Sequence, residues 1–119
     1  MKQIIIILSV LMLISIAHAD TKVSGKKVFK RCVSCHSFTK TKIGPPLGNI
    51  FDKKAGSVIG FKYSKPMKNS DIIWNDCTLD KFLKKPRKHM KGTKMMFSGL
   101  KKKSHREAVI KYLKENQVK

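Results

Sequence analysis

Apolar residues along the chain fall into separate groups, each with its own period. From Ile4 to Ile16 they run almost without interruption. Val28, Phe29 and Cys32 then recur at helical spacing among Lys26, Lys27, Lys30 and Arg31, which predicts a first helix over Thr21 to Cys35. Gly25 inside that helix costs about 1 kcal/mol relative to Ala, and close approach by a second helix would justify it. No period organises Ser37 to Gly60, where Gly44-Pro45-Pro46, Gly48, Gly56 and Gly60 mark turns. A short helix is expected over Lys65 to Asn69. Leu79, Phe82 and Leu83 share one face of a helix from Asn75 to Lys84, with Pro86 as the stop. Val109, Ile110, Tyr112 and Leu113 form the buried stripe of a last helix from Lys103 to Glu115. Ser104 and Glu107 at its start have capping-box spacing. The expected fold class is all-α, small and loop-rich.

The first group is not part of that fold. Lys2 precedes the apolar run, and Ala17-His18-Ala19 follows it as a small-x-small cleavage site, so residues 1–19 read as a secretory signal peptide. The run is short for a membrane span of about twenty residues; an uncleaved N-terminal anchor is the competing reading. Cleavage leaves residues 20–119 as one domain of 100 residues in the periplasm. A core of that size is small, and a buried apolar cofactor would enlarge it.

Charge narrows the partners. The formal net charge is +20, and loss of Lys2 with the signal lowers it to +19. Such a balance suits nucleic acid, an anionic membrane surface or an acidic protein face. Export argues against nucleic acid. Lysines also keep a small protein soluble, so composition alone makes none of them functional.

The candidate chemistry lies in Cys32-Val33-Ser34-Cys35-His36, which reads C-x-x-C-H, the attachment sequence for a c-type haem. Positions i, i+3 and i+4 share a helix face. Cys32 and Cys35 can therefore bond two vinyl groups of one porphyrin while His36 turns a ring nitrogen to its iron. Half a zinc site or a redox dithiol would use the same two cysteines. Zinc needs two more ligands, and Cys77, His18, His89 and His105 form no paired motif; a thioredoxin-like dithiol needs a βαβ context that is missing here. Haem attachment leaves Cys77 as a free, partly buried small residue. The sixth iron position is then either open or filled by His89, His105, Met67, Met90, Met95 or Met96.

From Gly25 to Leu113 the chain resembles class I cytochrome c of the mitochondrial and alphaproteobacterial type. The likeness rests on Gly25-x-x-Val28-Phe29, the C-x-x-C-H pentapeptide, Gly44-Pro45-Pro46-Leu47, Phe61-x-Tyr63-Ser64 and Ile73-Trp74. Downstream it rests on Thr78-Leu79, Phe82-Leu83-x-x-Pro86, Gly92-Thr93-Lys94-Met95, Phe97-x-Gly99-Leu100 and Tyr112-Leu113. The resemblance implies N- and C-terminal helices packed together and loops wrapping one covalent haem c. It implies thioethers at Cys32 and Cys35, iron ligation by His36 and Met95, and a Pro45 carbonyl that takes the His36 ring N–H. Tyr63 and Trp74 would hydrogen-bond a buried propionate, and Thr93 and Phe97 would close the distal side. Gly25 and Phe29 would pack near Tyr112.

The chain also departs from the family. Phe82 stands where a Tyr often bonds the ligand sulfur, Met67 where many members have Asn, and Lys53 where an Arg is common near a propionate; Lys is not an equivalent group. The loop from His36 to Pro45 is shorter than in mitochondrial members. Arg31, Lys42, Arg87, Lys88, Lys94, Lys101 and Lys102 fall at or near the family's docking lysines. The implied function is that of a monomeric one-electron carrier rather than an enzyme. It would run between a quinol-oxidising bc1-type complex and a terminal oxidase, meeting their acidic faces. A haem peroxidase with a vacated iron site is the alternative.

Overall fold

A computed structural model describes residues 22–118. The expected signal peptide, its cleavage site and the anchor reading all lie outside the described residues. Helices α1 (Gly25–Phe29), α2 (Lys65–Lys68), α3 (Asp76–Lys84), α4 (Pro86–His89) and α5 (Lys103–Glu115) follow one another. The only sheet-like pairing among the described residues is an antiparallel bridge between Lys54 and Ile73.

Helix α1 is shorter than its apolar period suggested. Ser24 caps it by accepting from the Lys27 N–H at 3.3 Å, and regular helix stops at Phe29. The chain then continues in tighter turns, with the Arg31 N–H on the Val28 carbonyl and the Cys32 N–H on the Phe29 carbonyl. Such tightening is ordinary at helix ends. The His36 N–H closes back on the Cys32 carbonyl at 2.8 Å, so the pentapeptide is a coil of its own.

Two helix boundaries differ from expectation. Pro86 ends α3 and also opens α4, a helix absent from the apolar period; a fixed φ and a missing N–H suit a first helical position as well as a stop. The expected Ser104–Glu107 capping box does not form. Lys102 is the extended residue before α5, so Ser104 is already helical and cannot cap, and Glu107 faces Lys103 at 3.6 Å. The capping box sits on α3, where Asn75 Oδ1 accepts from the Thr78 N–H and Thr78 Oγ1 from the Asn75 N–H, both at 2.9 Å.

The terminal helices meet at Gly25. A Cβ there would overlap the Ala108 carbonyl and come within 2.7 Å of Tyr112 Cβ. Phe29 stacks on Phe38 at 4.9 Å and tilts against Tyr112 at 5.3 Å. Val28, Phe29, Val109, Ile110 and Leu113 are buried in one cluster with Leu79, Phe82 and Leu83 of α3.

Arg106, whose burial the apolar stripe did not announce, is also 6 % exposed. Its Nε donates to Asp80 Oδ1 at 2.7 Å, and Nη1 donates to the Leu100 and Lys101 carbonyls at 2.9 Å each. The pairing is what lets a guanidinium sit in this interior. It fastens α5 to α3 and to the strand of chain that returns from the distal loop.

Gly25→Ala is expected to destabilise the protein by about 1–3 kcal/mol through overpacking at the crossing. The midpoint of guanidinium unfolding measures it; an unchanged midpoint would show that the helices can part without cost.

Candidate functional site

The tight coil after α1 turns Cys32, Cys35 and His36 toward one cavity of about 310 Å³. Gly44, Pro45, Pro46 and Leu47 line it beside the histidine; Met67, Phe82, Leu83, Met95, Phe97 and Leu100 supply further apolar surface. Tyr63, Trp74 and Thr93 reach it as well. Residues from five stretches of the chain thus surround one largely apolar space.

His36 is held in a defined tautomer. Its Nδ1 lies 2.8 Å from the Pro45 carbonyl oxygen. A carbonyl can only accept, so Nδ1 carries the hydrogen and Nε2 keeps its lone pair. Burial lowers the His36 pKa, Lys42 lowers it further, and the Pro45 bond opposes them. The ring is therefore a neutral donor near neutral pH. Gly44 is part of the same arrangement, because a Cβ there would fall 2.7 Å from His36 Nδ1.

Cys32 lacks the electrostatics of a reactive thiol. Burial pushes the Cys32 thiol up, the neighbouring Arg31 guanidinium opposes it, and Cys35 adds to the rise. A redox dithiol needs the opposite shift. Among the described residues no three His, Cys, Asp or Glu side chains converge as a zinc site would require. Cys77 is exposed on α3 rather than partly buried, because its position faces away from the Leu79–Phe82–Leu83 stripe.

The other candidates separate by place. Met90 is a core residue, 7 % exposed, and does not line the cavity. His89 is exposed and lies edge-on to Phe82 at 6.4 Å; His105 sits on α5 away from the cavity. Met67 and Met95 are both half-buried against the core at the cavity, whereas Met96 is 79 % exposed at its rim. The Met95 N–H donates to Thr93 Oγ1 at 3.3 Å, and the Thr93 N–H to the Met90 carbonyl at 3.1 Å.

Tyr63 accepts the Val58 N–H on its hydroxyl oxygen at 3.1 Å and keeps its own proton to donate. Burial raises its pKa, opposed by the Val58 bond. Trp74 packs on Phe82 at 5.2 Å. Its backbone bonds hold 52–53, with the Asp52 N–H on the Trp74 carbonyl and the Trp74 N–H on the Lys53 carbonyl.

Two contacts at the rim were not legible from composition. The Arg31 guanidinium lies 5.2 Å above the Phe97 ring, and Lys42 Nζ donates to the Val33 carbonyl. Each joins residues that only folding brings together.

One imidazole with a free Nε2, two thiols a turn apart, the thioethers of Met67 and Met95 and mostly apolar walls fit a flat, covalently held haem. The family model described as Cytochrome c matches residues 23–117. The chain belongs to the cytochrome c family. It is 48 % identical over 95 residues to cytochrome c type-1 of Ascaris suum, covering 77 % of this chain and 85 % of that one. It is 43 % identical over 101 residues to cytochrome c2 of Afifella marina, covering 80 % and 82 %. Cytochrome cH from Methylobacterium extorquens superposes with a TM-score of 0.74 at 36 % identity, over 76 % of this chain and 94 % of the other. As a cytochrome c, the chain carries covalently attached haem c and is an electron-transfer protein, not an enzyme. The all-α fold with packed terminal helices is the one expected of it.

Gly44→Ala should push the His36 ring from its place. We expect a loss of about 1–3 kcal/mol in the haem-loaded protein together with an altered Soret spectrum. Wild-type stability and spectrum would mean that the loop gives way freely.

Proposed function

We propose that this cytochrome c is a periplasmic one-electron carrier, with residues 1–19 as a cleaved signal peptide and residues 20–119 as the functional domain. It takes electrons from a quinol-oxidising bc1-type complex and delivers them to a terminal oxidase. What carries the reading is His36, whose Nδ1–H is held by the Pro45 carbonyl so that Nε2 keeps its lone pair in the same cavity as Cys32, Cys35 and Met95. Haem c bound there supplies a one-electron ferric/ferrous couple.

Each residue then has a task. Cys32 and Cys35 would hold the group by thioether bonds, and His36 Nε2 and Met95 sulfur would be the residues that bind its iron. Sulfur is a soft, neutral donor that raises the reduction potential. With His36 and Met95 both committed to the iron, the group would exchange electrons rather than bind a substrate. Tyr63 and Trp74 offer donors to a propionate. Thr93 orients Met95 by accepting its N–H, and Phe97 covers the distal side, backed by Arg31. Phe82 is 4 % exposed and presents only carbon, so it leaves the Met95 sulfur without a hydroxyl donor from that position.

Docking follows from charge. Arg31, Lys42, Arg87, Lys88, Lys94, Lys101 and Lys102 are all exposed, and none forms an ion pair among the described residues. Five of the seven acids are already engaged with basic partners, so the free cations face outward toward acidic surfaces. An anionic membrane surface would attract them too.

Met95→Ala is expected to abolish the weak long-wavelength charge-transfer band of sulfur-ligated ferric haem and to lower the reduction potential. Met96→Ala should leave both intact; the reverse pattern would assign the ligand to Met96. A haem-stained denaturing gel reports the covalent bonds, and staining should vanish in the Cys32→Ala, Cys35→Ala double variant. Oxidation by membranes holding a terminal oxidase should slow by about tenfold or more between low and physiological ionic strength. A rate indifferent to salt would remove steering from the account.

A further inference from the structure

The residue four places beyond the last buried turn of α5 is tied to the loop that holds His36. Gln117 spends its whole amide on this tie: Nε2 donates to the Leu47 carbonyl at 2.9 Å and to the Leu113 carbonyl at 3.0 Å, while Oε1 accepts from the Ile50 N–H at 3.0 Å. The next residue repeats the connection, the Val118 N–H bonding the Gly48 carbonyl. The contacts with Leu47 and Ile50 span 70 and 67 positions of sequence.

The far edge of the same loop is stitched to the haem-attachment segment. The Gly44 N–H donates to the Cys35 carbonyl at 2.7 Å, the Leu47 N–H to the Ser37 carbonyl at 2.9 Å, and the Gly48 N–H to the Phe38 carbonyl at 2.8 Å. Pro45 lies inside this stretch and contributes the carbonyl that takes His36 Nδ1–H. As Pro45 and Pro46 have no N–H, the loop around them has few donors of its own and depends on bonds made at its two edges.

We propose that Gln117 is a positioning residue for the proximal histidine: it holds 47–50 so that the Pro45 carbonyl stays on His36 Nδ1–H. A held Nδ1–H···O bond makes Nε2 a stronger donor, which favours the more highly charged iron. Releasing it raises the reduction potential. This rests on the reading of His36 as an iron ligand.

The test uses the haem-loaded full protein. In ¹⁵N NMR of the ferrous wild type, the His36 ring N–H should be exchange-protected and shifted by the haem ring current. A His36 resonance with neither property would overturn the ligand reading itself. In Gln117→Leu, His36 N–H exchange should quicken by about tenfold, the ratio that matches one ordinary hydrogen bond, and the potential should rise. Gln117→Glu keeps an acceptor for the Ile50 N–H but cannot donate to Leu47, so its His36 exchange should quicken to the same degree; this variant also serves if Gln117→Leu does not assemble. Ser24→Ala, which removes the α1 cap and none of the loop's hydrogen bonds, is the control for mere loss of stability. The proposal is overturned if the Gln117 variants exchange and titrate electrochemically as Ser24→Ala does.

Discussion

The crossing of α1 over α5 at Gly25 is the constraint on which the rest depends. A helix of only five residues has little stability of its own, and α1 persists because its buried face is pressed onto Ala108 and Tyr112. That contact sets the direction in which the chain leaves α1. The tight coil that follows then delivers two thiols and an imidazole to one side, against a cavity whose other surfaces come from far along the sequence.

Around that anchor the interior is mostly borrowed surface. The helices bury one cluster, yet the long stretch from Ser37 to Gly60 has almost no regular structure. Its polar backbone is satisfied piecemeal, by Cys35, Ser37 and Phe38 on one side and by Gln117 and Val118 on the other. A loop of this length is unusual in a compact domain, and an apolar group enclosed by it accounts for its shape. The same logic explains the ions: Arg106 enters the interior only because three acceptors meet it, while Arg31, Lys42, Arg87, Lys88, Lys94, Lys101 and Lys102 stay exposed and outside any ion pair among the described residues.

Sequence and structure agree best where the information is local. Lys103 to Glu115 was legible to the residue because thirteen positions repeat one helical period. They part at caps and joints. Ser104 and Glu107 have the right spacing for a box but the helix starts one residue before them, and Pro86 was read as a stop without the helix it also begins. Spacing alone does not contain the backbone angle of the preceding residue, and that angle decides which side chain caps.

By itself the sequence determined where the C-x-x-C-H motif lies, since Cys32, Cys35 and His36 lie within one turn and need no distant residue to share a face. It determined the helix periods and the sign of the surface. Only the tertiary structure decided the tautomer of His36, the exclusion of Met90 and His89 from the cavity, the burial of Arg106 and the grip of Gln117 on the proximal loop. Each of those joins groups whose separation along the chain bears no relation to their separation in space. Packing of α1 and α3 on α5, and of the Pro45 loop on the attachment segment, brings those groups together.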